Sequence, residues 1–250
     1  ELMAISHNHI CGKYGRSKDF NSALAELDKS VSMNPGYAET YYHRGYVLRM
    51  LGRNDESLAD LHKSLTMNPR NPETYFQLGC TYRELKDFPK AIESYKKAAE
   101  IAVEFKTYTC LGMAYLQNGD HQKALHELNK AHTLNPLDAT TLNNRGYAHA
   151  QLGNHDKAID DYTLAIEYQS SLVKAYVNRS DSYFALGENR KAKNNLWIAR
   201  MLALKRFCKV SLLIRTGQDV VKVILGLAKQ VQSMTGRLAN FNRKVKVLAS

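Results

Sequence analysis

Proline is scarce, with 5 residues in 250, and the four cysteines, Cys11, Cys80, Cys110 and Cys208, are far apart with no CxxC pair. That spacing excludes a disulfide framework and a zinc knuckle, so a reducing compartment is expected. No run approaches the roughly 20 apolar residues of a membrane helix, and no basic-then-apolar leader opens the sequence. A cytoplasmic protein is therefore the expectation. With 44% apolar residues the chain is too hydrophobic for wholesale disorder.

Acidic residues are nearly absent from one end. Residues 205–250 carry 10 Lys+Arg against the single acid Asp219, whereas residues 1–204 carry 25 basic and 23 acidic residues. The formal net charge of +11 is thus +9 from the tail and +2 from the body. A nucleic-acid argument from global pI fails, and only the tail calls for an acidic partner. Clustered glycines are also missing, which excludes a phosphate-binding loop.

The glycines that are present keep time. Gly45, Gly79, Gly112 and Gly146 fall 34, 33 and 34 residues apart, and Cys11 and Ser180 take the same small position. Gly52, Gly119, Gly153 and Gly187 stand seven residues after that position, and Pro35, Pro69 and Pro136 close units. This is an array of period about 34. Inside each unit the apolar pattern is helical twice: Tyr75, Leu78, Gly79 and Tyr82 form one face of a first helix, and Ala91, Tyr95 and Ala98 the face of a second. A small residue at the first glycine position lets the partner helix approach, and the later glycine suits a left-handed turn. The Asn-Pro pairs end the second helix because a residue before proline avoids helical geometry.

Tyr108, Leu111, Gly112, Tyr115, Ala124, Leu128, Ala131 and Pro136 together resemble the tetratricopeptide repeat (TPR). Six units start near Ala4, Ala38, Pro72, Phe105, Ala139 and Val173 and run over 4–37, 38–71, 72–104, 105–138, 139–172 and 173–206, about four-fifths of the chain. The third boundary lacks its proline and is one residue short, and Arg44, Arg145 and Arg179 replace the usual Leu. These departures are expected to alter local twist and not fold. The fold class that follows is all-α: a TPR solenoid, a right-handed superhelix of about six antiparallel helix pairs, with a C-terminal capping or extension helix. The first unit begins with its core phase already set just after Glu1, so the array is expected to continue upstream.

The resemblance implies that first helices line a concave groove through positions 2, 5, 6 and 9 of each unit, and such surfaces bind partners in repeat proteins. The groove candidates are Tyr42, His43, Tyr46, Phe76, Gln77, Cys80, Thr109, Cys110, Met113, Asn143, Asn144, Tyr147, Lys174, Val177, Asn178 and Asp181. Amides along a groove offer donors and an acceptor together to an extended peptide. Tyr42, Tyr46, Phe76 and Tyr147 are the candidate aromatic anchors, whereas Tyr41, Tyr75, Tyr108 and Tyr176 recur at a core position.

The clamp by which Hsp70/Hsp90-binding members hold a carboxylate tail is matched only at Asn144 and Lys174, with Thr109, Met113 and Asn178 at the other clamp positions. Without its cations such a site loses most of its charge-assisted bonding, so the chaperone tail is not expected as a partner. His7 and Cys11 share one helix face, but as core positions of a repeat; no metal, cofactor or catalytic residue is expected.

Beyond residue 206 the apolar residues Val220, Val221, Ile224, Leu225, Leu227, Ala228, Val231, Met234 and Leu238 fit a basic amphipathic helix over 207–250. Lys209, Arg215, Lys222, Lys229, Arg237, Arg243, Lys244 and Lys246 supply its charge. It is expected to cap the last helix pair near Tyr183, Leu196 and Ala199, and to face an acidic protein surface. The function expected is a non-catalytic scaffold or adaptor that binds an extended or helical partner segment in the groove. The alternatives are a substrate-selecting module of a longer enzyme, or a cytoskeletal or axonemal component docking on an acidic surface through the tail. Nucleic acid and a membrane span are not expected.

Overall fold

A computed structural model describes residues 19–214, with side chains through Lys205. The described residues form eleven helices and no strand. They are α1 (Phe20–Met33), α2 (Ala38–Met50), α3 (Asn54–Met67), α4 (Pro72–Glu84), α5 (Phe88–Ile101), α6 (Phe105–Asn118), α7 (His121–Leu134), α8 (Ala139–Gln151), α9 (His155–Tyr168), α10 (Val173–Ala185) and α11 (Asn189–Ile214). The chain divides into two compact units, Glu1–Pro136 and Leu137–Ser250. In the first, α2 pairs with α3, α4 with α5 and α6 with α7; in the second, α8 pairs with α9 and α10 with α11. Each second helix also packs on the next first helix of its unit, and α2 touches α4 as α8 touches α10.

The spaced glycines explain how close the paired helices come. A Cβ on Gly79 would lie 2.6 Å from the Tyr95 ring, and one on Gly112 would lie 2.6 Å from Leu128. Gly45 meets Leu61 and Gly146 meets Tyr162 in the same way, at 2.8 Å. The opposing residue is always sixteen further on and is fully buried in all four pairs. Ser180 takes the glycine place in the last pair and donates its hydroxyl to the Ala192 carbonyl.

The turns use the other glycine series. Gly52, Gly119, Gly153 and Gly187 have φ between 78° and 87°. In the pair α4/α5 that place belongs to Lys86, at φ 63°. A left-handed conformation costs a side-chain-bearing residue roughly 1–2 kcal/mol, so Lys86→Gly should stabilise the chain by about 1 kcal/mol after the entropy glycine loses on folding. Thermal unfolding checks it, with a Tm rise of about 2–4 °C expected. A lower Tm would mean that the Lys86 side chain contributes more than its backbone strain removes.

The arginines at the leucine position do more than adjust geometry. Arg44 donates through Nε and Nη2 to Asp60 at 2.6 and 2.8 Å and through Nη1 to Asp28 at 2.9 Å. Arg145 grips Asp161 with Nε and Nη2, at 2.9 and 2.5 Å. Arg179 reaches Asn195 and Thr163, both at 2.9 Å. Every one of these partners lies sixteen residues away, forward into the paired second helix or back into the preceding one. Two-pronged pairing of this kind supplies directional bonds where an apolar contact would stand.

Tyr41 and Tyr176 are buried, each 8% exposed. Tyr75 and Tyr108 are only partly buried, each with a lysine of the second helix over its ring, Lys97 at 5.9 Å and Lys130 at 5.5 Å. They sit at the margin of the core, as cation–π platforms.

The third unit boundary, lacking proline, makes a different connection. Other pairs are joined through a turn, but Ala102, Val103 and Glu104 run without one, and Ala102 and Glu104 are both extended, at φ −137° and −126°. The last helix, α11, continues across residue 206 without interruption. No helix among the described residues is long and apolar enough to cross a membrane.

Candidate functional site

In the first unit, three of the groove candidates meet in a pocket of about 90 Å³ walled by Tyr42 of α2 and by Phe76 and Gln77 of α4. The short connection after α5 brings Ala102 and Glu104 to the same pocket, and α6 adds Lys106. The missing proline therefore has a local consequence: an extended strip of chain replaces a turn and closes one side of the site. Phe76 is held from behind by Tyr95, with ring centroids 5.6 Å apart. Tyr95 is itself fully buried and donates its hydroxyl to the Cys80 sulfur at 3.3 Å; burial, above all, pushes the Tyr95 phenol pKa up. Tyr42 stands edge-on to His43 at 4.8 Å.

Gln77 is 9% exposed, and its Oε1 has no hydrogen-bond partner among the described residues. A buried acceptor left unpaired costs about 1–3 kcal/mol. Glu73 and Glu104 are exposed carboxylates at the pocket that form no ion pair among the described residues.

The other candidates divide by burial. Cys80 is buried and taken up by Tyr95. Thr109 is buried and donates to the Phe105 carbonyl. Tyr46 is half-buried against a cluster of Ala23, Leu27 and Val47, under the Arg49 guanidinium. His43, Cys110 and Met113 are partly exposed.

In the second unit the asparagines bond to each other. Asn178 donates to Asn143 Oδ1 at 3.1 Å, and Asn143 donates to Asn144 Oδ1 at 3.4 Å. Asn143 is 5% exposed, so its amide is a link between α8 and α10 and not a free contact. Asn144 Nδ2 ends this series with no partner among the described residues. Val177 belongs to a core cluster with Val173, Tyr176 and Ala199, while Tyr147 is partly exposed and Lys174 and Asp181 are exposed.

Lys209 falls on α11, and Arg215, Lys222, Lys229, Arg237, Arg243, Lys244 and Lys246 lie outside the described residues, as do His7 and Cys11. The capping face expected over 207–250 also lies outside the residues whose side chains are described. Ala199 is already fully buried against α10, and Trp197, Met201 and Leu204 instead stand exposed along α11 at 61%, 38% and 46%. Among the described residues no group of three or more His, Cys, Asp and Glu is gathered as for a metal ion.

Sequence reasoning passed over Glu73, Glu104 and Lys106. Glu73 and Lys106 occupy the second position of their units, a groove position by the repeat's geometry, so the signal was present. Glu104 had none, because its place depends on the shortened boundary.

Models of the tetratricopeptide repeat match residues 36–102 and 111–171. No match is found among curated proteins. Similar solved structures include MamA, 28% identical over 68% of this chain and 93% of that one, with a TM-score of 0.60. YrrB, described as "a TPR protein with an unusual peptide-binding site", is 23% identical over 70% of this chain and 91% of that one, with a TM-score of 0.59. The APC/C hetero-tetramer Cut9–Hcn1 aligns at 17% identity with a TM-score of 0.67, over 90% of this chain and 45% of that one. The last two likenesses are of fold alone.

Proposed function

Because the chain belongs to the tetratricopeptide-repeat family, whose repeat models cover residues 36–102 and 111–171, we propose that it is a non-catalytic scaffold holding a partner segment on its first-helix face. The observation that carries this reading is the pocket that Tyr42, Phe76 and Gln77 line together, where two aromatic side chains of the first helices meet. Aromatic anchors in desolvated pockets carry much of the energy of protein interfaces. Tyr42→Ala and Phe76→Ala should each weaken partner binding by about 1–3 kcal/mol, measured by calorimetry, with the circular dichroism spectrum unchanged. Tyr42→Ala is the cleaner of the two, since Phe76 also supports Tyr95. Unchanged affinity for both variants would leave the first-helix face as a solvated surface.

The C-terminal segment has a structural role in the same reading. Trp197, Met201 and Leu204 form an exposed apolar stripe at helical spacing on α11, and the chain that follows carries its own amphipathic pattern from Val220 to Leu238. That segment covers the stripe, since apolar area left in water costs about 25 cal/mol per Å². Trp197 is the single tryptophan of the chain and reports on this directly. Removing residues 215–250 should shift its fluorescence to longer wavelength and lower the Tm. Identical emission and melting would contradict the capping role.

A further inference from the structure

The exposed stripe on α11 does not follow from the array simply ending there. The places of Trp197 in α1, α3, α5 and α9 are taken by Asp28, His62, Lys96 and Thr163. Those of Met201 are taken by Ser32, Thr66, Glu100 and Glu167. All of these are polar, and all but the half-buried Thr163 are exposed, although a first helix packs on each of the four helices. The two positions therefore face water even where the array continues, and another helix pair stacked in register would leave Trp197 and Met201 bare. Ile166 of α9 is the residue that packs against Val173, Tyr176 and Val177 of the next first helix, and its counterpart on α11 is Arg200. The stacking surface thus carries a cation, while the large apolar residues have moved to the outside.

The rim of the stripe is basic. Arg190, Lys193, Arg200 and Lys205 are exposed and form no ion pair among the described residues, whereas Lys191 is paired with Glu188. At about 3.6 residues per turn, Lys193 and Arg200 lie along one side of the stripe and Lys205 along the other, with Arg190 in line with Trp197. No acidic residue occurs between Glu188 and Asp219. The chain's own segment from Val220 to Leu238 brings Lys222, Lys229 and Arg237 and no acid, so as a cover it matches the stripe in hydrophobicity but sets like charges against its rim. A helix with carboxylates along both sides of an apolar ridge matches both.

Trp197, Met201 and Leu204 span two turns, about 10 Å of helix, and the next positions on that line are Cys208 and Ser211. So short an apolar line suits the crossing of another helix, ridge into groove, with a tryptophan at its centre. A helix lying in a lipid interface presents an apolar face along its length.

We infer that the outer face of α11 docks an amphipathic helix of a partner protein whose apolar ridge is flanked by carboxylates. Where the capping role proposed above holds, docking displaces that cover; the docking itself rests on α11 alone.

The test uses the full chain and labelled three-heptad peptides of Leu-Glu-Ala-Leu-Glu-Ala-Glu, with one control in which every Glu is Lys and another in which every Leu is Ala. Affinity is read by fluorescence anisotropy, and the site by the indole N–H resonance of Trp197, the single tryptophan. The Glu peptide should bind saturably and move that resonance, and both controls should bind at least about ten-fold more weakly. Lys193→Glu/Arg200→Glu changes only exposed side chains, so it should weaken the Glu peptide by about ten-fold, strengthen the Lys peptide and leave the Tm unchanged. Ile224→Asp, which weakens the chain's own cover, should tighten the Glu peptide by about three-fold.

No saturable binding of the Glu peptide, binding of either control as tight as that of the Glu peptide, or an unaltered affinity in the double variant overturns the inference. Phosphatidylserine vesicles that move the indole resonance when the Glu peptide does not would overturn it too, and assign the face to lipid. If the Glu peptide binds as expected while Ile224→Asp has no effect, the docking stands and only the capping role falls.

Discussion

Asp161→Ala should destabilise the second unit by about 3 kcal/mol, because it strands the Arg145 guanidinium, 16% exposed, where its two-pronged carboxylate partner stood. For a chain of this size that is a fall in Tm of about 6–12 °C. Two companion variants separate a lost attraction from a stranded charge. Asp161→Asn keeps an amide oxygen for Arg145, the arrangement already present between Arg179 and Asn195, and should cost less than half as much. Arg145→Leu/Asp161→Ala restores the leucine usual in this repeat and should lie within about 1 kcal/mol of the parent chain, since removing both members leaves no buried charge behind. A double variant as unstable as Asp161→Ala would show that the ion pair itself, and not the penalty of an unpaired charge, sets the energy.

Gly79→Ala is the second large effect. The added methyl would stand 2.6 Å from two Tyr95 ring carbons and 2.8 Å from a third. The ring cannot move aside, for it is fully buried, backed by Phe76 and anchored to Cys80. Overpacking of this kind costs about 1–3 kcal/mol, against a gain of about 1 kcal/mol in helix propensity. At the upper end of that range, where a 2.6 Å contact with an immobile ring belongs, a net loss of about 2 kcal/mol is expected in urea unfolding, and a larger loss for Gly79→Val. Gly153→Ala is the control. It has nothing within 4 Å and suffers only from its φ of 80°, which costs about 1 kcal/mol. Because Tyr95 supports Phe76, Gly79→Ala should also weaken partner binding, whereas Gly153→Ala should not. Stability unchanged in Gly79→Ala would mean that α4 and α5 can separate without loss.

What could be read from the sequence and what could not have distinct physical reasons. Helix pairing was legible because it needs a small residue at each crossing, and the glycine period exposes those crossings directly. The turns at Gly52, Gly119, Gly153 and Gly187 were legible for the same reason, whereas the turn at Lys86 carries no glycine to mark it. The role of Arg44, Arg145 and Arg179 was not, although the partner sixteen residues on is present in the sequence at Asp60, Asp161 and Asn195. A substitution in one helix is interpretable only beside the residue it faces, and that pairing needs the helix crossing itself. Asn143 illustrates the same limit: its phase points to the groove, but the neighbouring Asn178 claims its amide. The pocket was half legible. Tyr42, Phe76 and Gln77 follow from the repeat phase, while Glu104 arrives through a boundary one residue short.

The central claim is that the first helices of the repeat, and not the second, face the partner. Photo-crosslinking in the cells of origin tests it most directly, with the photoreactive residue placed in turn at Lys106 and Met113 of α6 and at Glu93 and Lys96 of α5. Adducts to one protein from positions 106 and 113, lost when Tyr42→Ala is added, with none from positions 93 and 96, is the predicted result. Adducts from 93 and 96 that survive Tyr42→Ala, with none from 106 and 113, would contradict it.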